Sequence, residues 1–102
     1  FTTIELSRIV RDVIIPQPDL QGVWHVASKP ISKFDLLSLI RTVFDVRTTI
    51  EPDEQVVCDR SLNGERFRKA TGYVPPSWEE MVQAMYNDPT PYSEIRRQYA
   101  RR

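Results

Sequence analysis

Apolar positions along this chain recur with two different periods. At the amino end Leu6, Ile9, Val10, Val13 and Ile14 fall at helical spacing. Thr2 followed by Glu5 fits a capping box, so the pattern predicts a helix that Pro16 and Pro18 stop. Gly22 then opens Val23-Trp24-His25-Val26-Ala27, a run of strand-forming residues with almost no polar alternation, as in a strand covered on both faces. Ser32, with Asp35 three residues on, caps a second helix whose stripe is Leu36, Leu37, Ile40, Val43 and Phe44 and which ends near Asp45. Thr48-Thr49-Ile50 reads as a second strand limited by Pro52, and Val56-Val57-Cys58 as a third. Strand, helix, strand in that order is a β-α-β unit, whose right-handed crossover makes the two strands parallel. A brief helix from Asn63 or Gly64 carries Phe67 and Ala70 and closes at Gly72. Ser77 with Glu80 caps a further helix, with Trp78, Met81, Val82 and Met85 on its apolar side, ending before Pro89. The expected fold class is therefore α/β: a small βαβ-containing subdomain with three to four helices on a short, mainly parallel sheet. It spans residues 1–89 and is followed by a basic tail, 90–102, either helical or disordered.

Length and composition agree with one ordinary globular domain. The chain has 102 residues, 40% hydrophobic and 27% charged, enough for a single modest core. Lysine plus arginine equal aspartate plus glutamate, 14 against 14, so no overall charge draws the chain to nucleic acid or to a membrane. Charge is uneven locally: Arg96, Arg97, Arg101 and Arg102 crowd the last seven residues, either as a solvated tail or as a contact for an acidic partner. Cys58 is the single cysteine, so no internal disulfide forms, which points to the reducing cytoplasm. No apolar run approaches a membrane span and no leader opens the chain. The first residue is Phe1 rather than Met, which points to a cut start; a homodimer or strand exchange is then expected of the isolated chain, as an artefact of the apolar faces such a cut exposes.

Much catalytic chemistry is excluded by what the chain lacks. Gly22, Gly64 and Gly72 stand too far apart for a phosphate-cradling loop, and no Walker lysine or nucleophile elbow is present. One histidine and one cysteine cannot assemble a zinc site, and no metal is expected. His25, inside an apolar run, reads as a packed histidine with one hydrogen bond before it reads as a general base. Cys58 reads as a small buried hydrophobe, and Trp78 as a core anchor. The informative stretch is Val57-Cys58-Asp59-Arg60-Ser61-Leu62, where an arginine sits on irregular chain between a strand and a helix. Its planar fork matches phosphate oxygens, and Ser61 adds a hydroxyl. The competing role for Arg60 is an ion pair with Asp59, Asp53 or Glu54, or a cap at the end of a helix.

Taken in order, Gly22-Val23-Trp24-His25-Val26, Ile31-Ser32-Lys33-Phe34-Asp35-Leu36-Leu37, Cys58-Asp59-Arg60-Ser61-Leu62, Phe67-Arg68-Lys69-Ala70-Thr71-Gly72-Tyr73 and Pro75-Pro76-Ser77-Trp78-Glu79-Glu80-Met81 resemble the carboxyl-terminal portion of extended short-chain dehydrogenases/reductases. The similarity is to the dTDP-4-dehydrorhamnose reductase-like branch and covers residues 2 to 87. The resemblance implies a division of labour. An amino-terminal Rossmann part would bind NAD(P) and hold a Tyr-x-x-x-Lys acid/base pair, while this part would close over a nucleotide-sugar. It further implies a basic contact from Arg60 to the nucleotide diphosphate, with Asp59 and Ser61 beside it. The chain itself has neither the dinucleotide fingerprint nor a Tyr-x-x-x-Lys pair, and Tyr92 has Arg96 at that spacing instead. No catalytic residue and no cofactor are therefore expected on this chain. An epimerase or dehydratase of the same superfamily fits the same residues, as does a non-catalytic interaction module that uses the arginine tail.

Overall fold

A computed structural model describes residues 1–100; Arg101 and Arg102 of the basic tail lie outside the described residues. The helices begin where the sequence places a short polar side chain. Thr2 Oγ1 accepts the Glu5 N–H at 3.4 Å and opens α1, Thr3–Ile9. A π-helical turn, Val10–Ile14, continues it, with the Ile15 N–H donating to the Val10 carbonyl at 2.9 Å before Pro16 ends the run. Ser32 Oγ accepts the Asp35 N–H at 3.0 Å and donates to Asp35 Oδ2 at 2.7 Å, opening α2, Lys33–Val43. The third helix, α3, Glu65–Thr71, closes on Gly72 in the left-handed conformation at φ 74°. A complete capping box opens α4, Trp78–Tyr86: Ser77 Oγ accepts the Glu80 N–H at 3.1 Å, and the Ser77 N–H donates to Glu80 Oε2 at 2.7 Å. The tail holds α5, Tyr92–Ala100, every residue of it exposed.

The expected α/β fold is corrected by this structure: among the described residues there are helices and no strand, hence no β-α-β unit and no parallel sheet. Residues 22–31 and 47–62 exchange no backbone–backbone hydrogen bond with any described residue. A parallel pair forms only when the crossover helix lies across both strands. Here α2 packs on α4 instead, so another helix takes the face that the sheet would have taken. The run at 23–27, expected to be covered on both faces, is open instead, as is the run at 56–58. Val23 is 81% exposed, Val56 74% and Val57 94%.

Four apolar side chains are fully buried, Ile9 from α1, Phe67 from α3, and Met81 and Val82 from α4. Around Phe67 an aromatic file runs from Trp24 (6.5 Å between ring centroids) through Phe67 to Tyr73 (6.1 Å) and on to Phe1 (6.2 Å). Arg66 lies over the Trp24 ring at 3.8 Å and donates to the Val23 carbonyl at 3.2 Å, which ties residues 23 and 24 to α3. The fold is open for a chain of this length. The radius of gyration is 16.7 Å, against about 13 Å for a compact chain of this length. The exposed surface is 8629 Å², against roughly 6,000 Å² for a compact monomer of this mass. Among the described residues no helix is long and apolar enough to cross a membrane.

Candidate functional site

The stretch singled out by sequence forms one wall of an open groove of about 1420 Å³. Residues 26–35 form a second wall, and Phe1, Asp53, Glu54, Val56 and Trp78 complete the lining. Two contacts fix that second wall. Trp78, the first residue of α4, donates its indole N–H to the Lys29 carbonyl at 2.8 Å. Gly64, at the start of α3, lets the backbone of Ala27 approach so closely that a Cβ at 64 would stand 3.1 Å from both its nitrogen and its oxygen. On the same wall, the Ser28 hydroxyl is buried without a hydrogen-bond partner among the described residues.

The loop that carries Asp59, Arg60 and Ser61 is shaped by its own aspartates. Asp53 Oδ1 accepts the Gln55 N–H at 2.9 Å. Asp59 Oδ1 accepts both the Ser61 hydroxyl at 2.6 Å and the Ser61 N–H at 2.8 Å. These two bonds, the hydroxyl's first, hold the Asp59 carboxyl below the usual carboxylate range. Arg60 donates its Nε–H to Cys58 Sγ at 3.3 Å. Among the described residues it makes no ion pair with Asp59, Asp53 or Glu54, so its two terminal nitrogens are not committed to a carboxylate.

The three candidate residues are thus brought together, with unequal chemistry. Ser61 spends its donor on Asp59, and Asp59 keeps a negative charge beside any anion that approaches. Arg60 is the one of the three whose hydrogen-bonding fork is open to a phosphate. The groove also carries Lys29 and Lys33 against Asp35, Asp53 and Glu54, so its charge is mixed rather than basic. Two other expectations change. His25 is exposed rather than packed in an apolar strand, and Cys58 is exposed rather than buried, because neither segment enters a sheet. No group of three or more His, Cys, Asp or Glu residues among the described residues could hold a metal ion.

A polar pair that sequence alone did not single out lies between α1 and residues 71–77. The Tyr73 hydroxyl donates to Oε1 of the buried Glu5 at 2.9 Å, and Arg8 approaches the other oxygen at 3.6 Å. Burial first, and then the bond to Glu5, push the Tyr73 phenol well above its ordinary value of 10.0. The partners are 68 residues apart, so no local pattern announces them. Comparison with protein-family models, with curated proteins and with solved structures finds no match to this chain.

Proposed function

We propose that this chain is the substrate-side part of an NAD(P)-dependent nucleotide-sugar reductase of the dTDP-4-dehydrorhamnose reductase-like kind. The observation that carries the reading is the position of the family-like stretch 58–62. It lines an open groove, and its arginine is left without a carboxylate partner among the described residues. A diphosphate offers paired oxygens at the spacing of a guanidinium fork, and Arg60 supplies that fork. Ser61 and Asp59 set the shape of the loop and do not themselves grip the anion.

No glycine loop among the described residues is shaped for a dinucleotide. Gly72 closes a helix, Gly64 is packed against Ala27, and Gly22 sits in a bend, so none of the three cradles a phosphate. The hydride donor and the tyrosine–lysine pair belong to the rest of the reductase. This part contributes binding energy remote from the reacting carbon, exclusion of water and positioning.

The test is NAD(P)H consumption with a nucleotide 4-keto-sugar by the natural-length polypeptide that contains this chain. Arg60→Ala is expected to raise KM about tenfold with a smaller effect on kcat, because one charge-assisted contact to a remote phosphate stabilises ground and transition states alike. An unchanged KM removes Arg60 from the site. Inversion of the sugar without net NAD(P)H consumption assigns the epimerase activity of the same superfamily instead.

A further inference from the structure

We propose that residues 54–60 form an antiparallel strand pair with the same residues of a second copy of the chain, about a twofold axis at Val57. The inference goes beyond the substrate reading and does not depend on it. Val56 and Val57 are 74% and 94% exposed, and no backbone group of residues 47–62 bonds to another described backbone group. An exposed apolar segment with unpaired N–H and C=O groups is a template for strand addition.

Parity within the loop selects the edge that is free. The loop's local bonds use the N–H groups of Gln55 and Ser61, both at odd positions. In an antiparallel pair the N–H and C=O of alternate residues face the partner. The even set, Glu54, Val56, Cys58 and Arg60, therefore offers its backbone to a second copy without competing for the Gln55 and Ser61 N–H groups.

Charge selects the register. Pairing centred on Val57 sets Glu54 opposite the second copy's Arg60, twice by symmetry, and Val56 opposite Cys58. Shifting by one residue in one direction sets Glu54 against Asp59, and in the other sets Val56 against Asp59. Shifting so that Val56 is central sets Asp53 against Asp59. Of these registers only the Val57-centred one joins apolar to apolar and opposite charge to opposite charge without setting a carboxylate against another carboxylate or against a valine.

Sedimentation velocity on the 102-residue chain, from micromolar to sub-millimolar concentration, tests this. The expected mass rises from 11.9 kDa toward twice that value. Glu54→Arg or Arg60→Glu alone should weaken association by about tenfold or more, and the double variant should restore it. In a Cys58→Ser background, Val57→Cys should form a covalent dimer on mild oxidation. The central pair then lies in a non-hydrogen-bonded position, about 4.5 Å between Cα atoms, within disulfide reach. The native Cys58, opposite Val56, should resist the same oxidant. The substituted positions are all exposed, so the circular dichroism of each variant should match the parent. A monomer at every concentration overturns the proposal and leaves this face to another partner. A double variant no better than either single one overturns it, as does a Cys58 that cross-links as readily as the Val57→Cys variant. Arg60 belongs to both readings, so the pairing is judged by Glu54→Arg and by the Val57→Cys cross-link, neither at a residue assigned to the diphosphate, and the substrate reading by Arg60→Ala in the NAD(P)H assay; the two therefore fail separately.

Discussion

Asp45 follows α2 with φ 50°, a left-handed conformation that residues with a Cβ seldom adopt. The bonds around it explain why it stays there. The Val46 N–H donates to the Arg41 carbonyl at 3.0 Å and the Asp45 N–H to the Thr42 carbonyl at 3.4 Å, the paired bonds of a Schellman closure. Asp45→Gly keeps both bonds and removes the Cβ strain, partly offset by the freer unfolded chain. The expected gain is about 0.5 kcal/mol, a rise in Tm of roughly 2–4 °C by circular dichroism; a lower Tm would show that the aspartate side chain holds the closure. Tyr73 makes the second residue-scale prediction. Its pKa is raised in the folded state, so above its ordinary value of 10.0 the unfolded chain releases a proton that the folded chain retains. The stability it contributes is therefore whole below pH 10 and declines as pH rises beyond it. Urea titrations near neutral pH and at about pH 11 should show that decline, and Tyr73→Phe should make it shallower. The variant also leaves Oε1 of the buried Glu5 without its phenol donor, at a cost of about 1–2 kcal/mol at neutral pH.

Between elements, the tightest constraint near the groove is the contact of α3 with residue 27. A Cβ at position 64 meets backbone atoms of Ala27 at 3.1 Å, and backbone cannot rotate aside as a long side chain does. Gly64→Ala is expected to destabilise the chain by about 1–2 kcal/mol and to widen the groove wall beside Ser28. NMR shifts confined to α3 would contradict that coupling. Helices α1 to α4 were legible in the sequence because their determinants are local: a cap and an apolar stripe lie within a few residues of one another. Ser77 and Glu80 show this fully. Thr2 and Glu5 show its limit, since Glu5 turns to Tyr73 instead of completing the box. The strands misled for the opposite reason. Strand propensity describes a fit to a pleated, half-buried surface, and that surface must be supplied by a partner strand. Trp24 instead turns to Phe67 and Arg66, and Val57 meets nothing among the described residues. Of the groove, Asp59, Arg60 and Ser61 were legible because they are neighbours in sequence, whereas the wall at 26–35 depends on Trp78 and Gly64, far along the chain.

At the scale of the molecule the open surface has a thermodynamic consequence. Unfolding a compact domain of this length changes the heat capacity by about 1.2–1.5 kcal/mol/K. The change tracks the area exposed on unfolding, and the unfolded chain exposes roughly 17,000 Å². With 8629 Å² already exposed when folded, this chain has about three quarters of a compact domain's area left to uncover. Scanning calorimetry of the dilute chain should therefore give about 1.0 kcal/mol/K. If a second copy pairs through residues 54–60, folding and association are linked, and both Tm and the heat-capacity change should climb with concentration. A value near 1.0 kcal/mol/K at every concentration would mean that the apolar face stays open and that no second copy covers it. A compact-domain value that ignores concentration would mean that the chain folds back on itself in solution. In that event residues 22–31 and 47–62, unpaired in the described structure, would be where hydrogen exchange finds the new protection.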